Sequence, residues 1–472
     1  MKTKLLFFVS ILLAINTFAE QQYAKFYKQR RNQLMGQLGN GVLILNAAND
    51  QEVNRNEYRQ DSYFWYLTGY PEEGAIAVID PTSKYKYTLF LIKPSFIAEI
   101  YGGTQPTFEE KKKEYCADTI ISIRDFPDFL LKLVAQNREI YTVSRKPEFN
   151  TTWKGEEIVS NLKVQDACSF IDEIRLVKDS LEIELTKKAA NTSSYALCDV
   201  YKTCKPNMFE YEIEALLEYD YRKAGLAMPA YRSIVASGSN ATILHYDKND
   251  KLMADGELLL MDVAGEAGMY AADITRTIPV NGKFTPEQKT IYELVLKAQT
   301  EGIKMMKPGK GNLECHHKTV EVFTKGLMKL GLMTDSNSVW QKKLYNIYRV
   351  NHWLGLDVHD VGSFGPTSND FRNYMFNPNE KGRPFVPGMI STIEPGLYFR
   401  PDLINNIRLI AGKDVPQKEI DDFIQKVKPI YEKYMNIGVR IEDDILITDT
   451  GNIVLTASVP KSIEEIENMM KR

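Results

Sequence analysis

Hydrophobic and polar positions divide the chain into stretches of different rhythm. From about 21 to 172, short apolar runs predict strands: "GVLILNA" (41–47), "GAIAVIDP" (74–81), "YKYTLFLI" (85–92) and "IYTVS" (140–144). Charged amphipathic stretches between them, "TFEEKKKEYCA" and "FPDFLLKLVAQ", predict helices. Strands alternating with helices make this an α/β domain. A helical region follows. "SLEIELTKKAANTSSYALCDVYKTC" opens on Ser180, read as its cap, and "MFEYEIEALLEYDYRKAG" stops at Gly225. Thr285 caps a further helix with Pro286 at its first position. A helix near 313–330 carries Val320, Phe323, Leu327 and Leu330 on one face. His316 and His317 fall on that helix and are expected at the surface. The chain returns to strands in "GMISTIEPGLYF" (388–399) and "IGVRIEDDILIT" (437–448). Two long irregular segments, 363–388 and 401–436, interrupt this half; the second holds an amphipathic helix around "KEIDDFIQKVKPIYEKYM".

The N-terminus differs in kind. Lys2 and Lys4 precede "LLFFVSILLAINTF", which is short for a membrane span, and Thr17-Phe18-Ala19 offers small residues around a cleavage point. Residues 1–19 therefore predict a signal peptide, and with it export to a periplasm or the medium and no membrane association after cleavage. Composition changes the picture little. The chain has 472 residues, a 44% apolar and 26% charged make-up and a net charge of −3. That balance gives no reason to expect nucleic acid as a partner. Five cysteines at irregular spacing, without a CxxC pair, oppose a disulfide framework and a thiolate metal site.

Chemistry enters with "MDVAGEAGMYAADIT" (261–275). Two short apolar strands flank a Gly-containing turn, and Asp262 and Asp273 are equidistant from a turn centre between Ala267 and Gly268. A hairpin folded there sets two carboxylates opposite each other, and like charges in that relation are destabilising. Protonation or a cation between them resolves the conflict, and hard carboxylate oxygens suit a divalent metal. The anomaly recurs. Glu394 sits in the apolar "STIEPGLYF", Glu442 in "GVRIEDDILIT" and His352 at the head of "HWLGLDVHD". Strand periodicity puts Arg440, Glu442 and Asp444 on one face, so Arg440 is expected to brace the Glu442 carboxylate. Together the five residues predict a two-metal site.

The ordered set Asp262, Asp273, His352, Glu394, Glu442 resembles the metal ligands of the "pita-bread" metallopeptidases, which include methionine aminopeptidase, prolidase and aminopeptidase P. "HWLGLDVHDVG", "TIEPGLYF", "RIEDDILIT" and the first-domain "RQDSYFWYLTGYPEEGAIAVI" (59–79) are most similar to aminopeptidase P. "IRLVKD" (174–179) resembles the family's domain junction. The resemblance implies an α/β N-terminal domain over 20–174 and an α+β pita-bread catalytic domain over 175–465. It implies hydrolysis of the N-terminal Xaa-Pro bond of peptides by a hydroxide bridging two divalent ions, most often Mn2+, with Zn2+ or Co2+ as alternatives.

The resemblance also implies roles. Asp262 chelates one ion, Asp273 and Glu442 bridge both, and His352 with Glu394 hold the second. Glu394 shuttles the proton, His359 contacts substrate near the scissile bond, His245 stabilises the intermediate and Arg440 supports the proline end. Peptides with proline second are the partners, and the family forms dimers or tetramers. One departure stands out: Tyr348 occupies the position, four before His352, where the family has histidine. Prolidase is the nearest alternative and needs a cation for the dipeptide's carboxylate. Creatinase and the ligand-free binding modules of this fold are opposed by the intact ligand set.

Overall fold

Burial on both faces explains the run-like strands of the first half. The computed structural model describes residues 23–48, 58–143, 164–365 and 374–471. The expected signal peptide, 1–19, lies outside the described residues, as does part of the 363–388 segment. Among the described residues no helix is long and apolar enough to cross a membrane. The chain divides into two compact units, Met1–Arg175 and Leu176–Arg472.

In the first unit a helix over 23–38 precedes a six-stranded sheet of order β4-β3-β2-β1-β5-β6. Its strands are β1 (Val42–Asn46), β2 (Ile76–Ile79), β3 (Tyr87–Leu91), β4 (Thr119–Ser122), β5 (Ile140–Thr142) and β6 (Val164–Asp166). The β1–β2 and β2–β3 pairs are antiparallel; β3–β4, β1–β5 and β5–β6 are parallel. β1 to β3 carry Val, Ile, Leu and Phe on both faces because helices cover them. The helices over Phe108–Glu114 and Phe126–Ala135 stand where the amphipathic pattern put them, and Phe126, Leu130 and Leu133 pack on Val42, Ile44, Val78 and Phe90.

The second unit opens with a 24-residue helix, Ser180–Thr203. Its cap is Asp179 rather than the expected Ser180: the carboxylate accepts from the amides of Leu181 and Glu182, and Glu182 reaches back to the Asp179 amide. A charged acceptor at the positive helix end outperforms a hydroxyl one residue later. The helices Glu210–Lys223, Pro286–Ile303 and Asn312–Leu330 follow, and Thr285 caps the third of these four helices as its sequence predicts. His316 and His317 break the surface expectation. His316 is fully buried and His317 half-buried, because the polar face of this helix is covered by the chain near Tyr374 and Phe376. The 401–436 segment is mostly helical, Ile407–Ala411 and Gln417–Tyr431, with Ile420, Phe423 and Val427 in the core.

Three sheet pieces carry the site. β7 (Ile234–Ser237), β8 (Leu258–Asp262) and β11 (Thr275–Pro279) form an antiparallel sheet of order β11-β8-β7. The β8–β11 hairpin is extended by the short pair β9 (Glu266–Ala267) and β10 (Tyr270–Ala271). Gly268 and Met269, both at positive φ (54° and 68°), make a two-residue turn of the kind that matches strand twist. The turn centre thus lies between Gly268 and Met269, one position later than expected. Asp262 consequently pairs with Thr275, and Asp273 is not directly opposite it.

The two C-terminal strands expected from the sequence each split in two. β12 (Ile390–Ile393) and β13 (Gly396–Tyr398) are separated by Glu394-Pro395; β14 (Gly438–Arg440) and β15 (Asp443–Ile447) are separated by Ile441-Glu442. β12 pairs with β15, and β16 (Asn452–Val454) flanks β15, while β13 pairs with β14 in another sheet. Pro395 has no amide to donate to a ladder and restricts the residue before it. The break therefore falls at Glu394, and both glutamates stand where the two sheets part.

Candidate metal centre

Each acidic side chain of the centre is fixed by its backbone first. Asp262 ends β8 between Ile234 and Thr275. Asp273 precedes β11, with its amide held by Oδ2 of Asp444 at 3.1 Å. The Glu394 amide donates to the Val350 carbonyl and that of Glu442 to the Thr275 carbonyl, at 2.8 and 3.0 Å. The His352 amide donates to Oγ1 of Thr392 at 3.1 Å. Nδ1 of His352 lies 3.0 Å from the Trp353 carbonyl, which fixes the proton on that nitrogen in the neutral ring. Nε2 faces the carboxylates, 3.3 Å from Asp273 Oδ2 and 3.5 Å from Glu394 Oε1. Burial disfavours the charged ring, but the Asp273 hydrogen bond and the charges of Glu394 and Asp273 outweigh it and raise its pKa to about 9, so Nε2 carries a proton that a metal ion would displace.

Asp273, His352 and Glu442 each offer a ligand atom, all within 4.8 Å of one another. Asp262 and Glu394 join them around one cavity of about 580 Å³. The structure brings all five sequence-predicted ligands to this cavity. His359 and His245 also border it; the His359 ring centroid is 4.4 Å from that of His352.

Arg440 borders the cavity too, but its guanidinium braces a different carboxylate from the one expected. Nη2 donates to Asp262 Oδ2 at 2.6 Å, Nη1 to the Tyr398 hydroxyl at 2.8 Å and Nε to Thr275 Oγ1 at 3.0 Å. Glu442 is held instead by Thr275, whose hydroxyl donates to Oε2 at 2.6 Å. The split between β14 and β15 is the reason: the i, i+2 relation of an unbroken strand does not survive it.

Several contributors escaped the sequence reading. The hydroxyl of Tyr231, 31 positions before Asp262, contacts both aspartates. Arg276 is fully buried, donates to the Glu442 carbonyl at 2.5 Å and pairs with Asp443 at 2.6 Å. Gln299, Lys461 and the Thr456 hydroxyl also donate to Asp443, at 2.7, 2.5 and 2.7 Å. This network pins the backbone of Glu442. The one signal in the sequence was the "DITRT" run, which puts a charged residue inside an apolar strand. Tyr348, in the position of the family's histidine, donates to the Glu394 carbonyl at 2.8 Å and lies 3.0 Å from the Tyr398 hydroxyl.

The electrostatics call for a cation. Burial, strengthened by Asp273, Glu394 and Asp262, holds Glu442 well above the usual carboxylate range. Burial also raises Glu394, to about 7, against the pull of His352 and Arg440. For Asp273 the burial penalty is outweighed by the hydrogen bond and charge of His352, and its affinity for a proton falls. Four carboxylates share one imidazole and one arginine, and the arginine is already committed to Asp262. An oxygen-rich set with one neutral imidazole fits divalent cations. Asp273, His352 and Glu442 are grouped closely enough that they could hold one, and Asp262 and Glu394 line the same cavity.

The metallopeptidase family M24 model matches residues 184–449. The chain belongs to metallopeptidase family M24. Its first unit matches the aminopeptidase P N-terminal domain over residues 27–141. An M24 relative, the Xaa-Pro aminopeptidase of Haemophilus influenzae, is 35% identical and covers 94% of this chain and 96% of its own length. The Xaa-Pro dipeptidase of Rattus norvegicus is 33% identical over 88% of this chain and 84% of its own. Among solved M24 structures, Pseudomonas aeruginosa aminopeptidase PepP superposes with a TM-score of 0.80 at 36% identity, covering 95% of this chain and 98% of its own. Aminopeptidase P from Escherichia coli with the inhibitor Pro-Leu gives 0.77 at 32%, covering 95% and 98%. An aminopeptidase P N-terminal domain followed by the M24 pita-bread domain is therefore the architecture, and the family's chemistry is metal-dependent peptide hydrolysis.

Proposed function

We propose that this protein removes the N-terminal residue from peptides whose second residue is proline, using two divalent ions. The observation that carries the reading is the meeting of Asp273, His352 and Glu442 at one cavity also lined by Asp262 and Glu394. Mn2+ suits four carboxylates and one imidazole best. Bound there, the ions supply Lewis acidity, making water nucleophilic near neutral pH and neutralising charge that develops on the scissile carbonyl. The chain's own residues do the rest. Glu394 takes the proton that water loses and returns it to the departing proline nitrogen. His359 and His245, at the cavity edge, orient the scissile carbonyl and donate to its developing charge. Asp262 receives the substrate's free amine, and Arg440 keeps Asp262 in place.

Residues 1–19 support export, and the aminopeptidase P likeness supports a dimer or tetramer. The test is purification, metal analysis and turnover of Ala-Pro-Ala against Ala-Pro. Metal-dependent release of alanine from the tripeptide is expected. Cleavage of the dipeptide alone would move the reading to prolidase.

A further inference from the structure

Two chambers flank the centre, sharing His245, Asp262, Asp273 and His359. The second, about 510 Å³, adds Asp247, Asp357 and Arg232, and Arg232 pairs with Asp247 at 2.6 Å. Its balance is acidic, which suits an ammonium group. The first chamber holds Arg349. The other acid there outside the metal centre, Asp360, pairs with Lys178 at 2.9 Å. Among the described residues Arg349 has no ion-pair partner. Its Nε donates to the Asn351 carbonyl at 2.8 Å, and its guanidinium lies 3.3 Å over the Phe364 ring. Phe364 in turn stacks on the buried Trp353, centroids 5.3 Å apart and planes within 7°. The stack fixes the fork, and among the described residues neither Nη group has a protein acceptor. A preorganised guanidinium with two free donors is matched to a carboxylate.

We infer that Arg349 binds a carboxylate of the substrate on the proline side of the scissile bond, so that short peptides with a free C-terminus are preferred. The charge polarity sets the direction: amine at Asp262 on the side of the acidic second chamber, carboxylate toward Arg349. The inference rests on the function proposed above and specifies its substrate class.

Two carboxylate sources are open to it, the peptide's C-terminus and an acidic side chain. The experiment compares Ala-Pro-Ala, Ala-Pro-Ala-amide and Ala-Pro-Asp-amide with wild type, Arg349→Gln and Arg349→Lys. The expected result is a roughly 10- to 100-fold fall in the acid-to-amide ratio of kcat/KM in Arg349→Gln, carried by KM, with much of it restored in Arg349→Lys. A fall confined to the Asp peptide would assign the carboxylate to a side chain. Ratios unchanged in Arg349→Gln would overturn the inference. If wild type cleaves none of the three, the proposed function falls, and calorimetric binding of acid against amide decides Arg349 by itself.

Discussion

Asp262 and Asp273 share one donor: the Tyr231 hydroxyl lies 2.7 Å from Oδ1 of each. A hydroxyl has one proton, so it can satisfy only one carboxylate at a time. The other keeps only its partner on Oδ2, Arg440 for Asp262 or His352 for Asp273, and its Oδ1 is open to a cation. Tyr231→Phe is therefore expected to leave the aspartates loosely placed and to weaken metal affinity about 10- to 100-fold. Competition against a calibrated chelator reads this directly. Unaltered affinity would remove Tyr231 from the centre's support.

Glu442 is buried with its proton affinity raised by three neighbouring carboxylates. Glu442→Gln spares the folded chain the cost of protonating or charging that buried group and can still accept from Thr275. The metal-free variant should melt above metal-free wild type. Wild type should gain stability with added Mn2+, about 2.7 kcal/mol at a hundredfold excess over Kd, while the variant gains little and loses turnover. Thermal melts with and without Mn2+ check both halves, and an equal metal-induced rise in the two proteins would contradict the ligand assignment.

His359 borders both chambers without belonging to the ligand group. His359→Ala should lower kcat by roughly a hundredfold or more while metal content stays at the wild-type level. Loss of metal in step with activity would make His359 a ligand instead.

His316 bears on stability rather than catalysis. Burial, with smaller contributions from His317 and Arg349, lowers its pKa to about 3, and among the described residues neither ring nitrogen has a hydrogen-bond partner. The unfolded chain binds a proton there below about 6.5 and the folded chain does not, so stability falls as pH drops from about 6.5 toward 3. The slope from this one group approaches about 1.4 kcal/mol per pH unit inside that window. His316→Leu should remove it, raising stability at pH 5 by more than at pH 8. Urea unfolding at the two pH values measures the difference, and equal changes at both would refute it.

The sequence by itself determined the elements and the chemical type of the site. Apolar runs marked β1 to β3, Thr285-Pro286 marked a helix start, and four carboxylates and one imidazole stranded in apolar surroundings marked the five residues that meet at the cavity. These are short-range facts: burial, capping and the cost of a lone charge are readable within a few residues. Tertiary structure decided what depends on register and on distant partners. Gly268 and Met269 moved the hairpin centre by one position, so Asp262 faces Thr275. Pro395 broke one strand and the split at Glu442 broke another, which sent Arg440 to Asp262 instead of Glu442. Tyr231 and Arg349 reach the site from separate elements with no local pattern to tie them to it, and the charged residue in "DITRT" did not reveal that Arg276 pairs with Asp443. A side chain's partner across sheets is set by packing, because many long-range pairings are compatible with one hydrophobic pattern and only the assembled core selects among them.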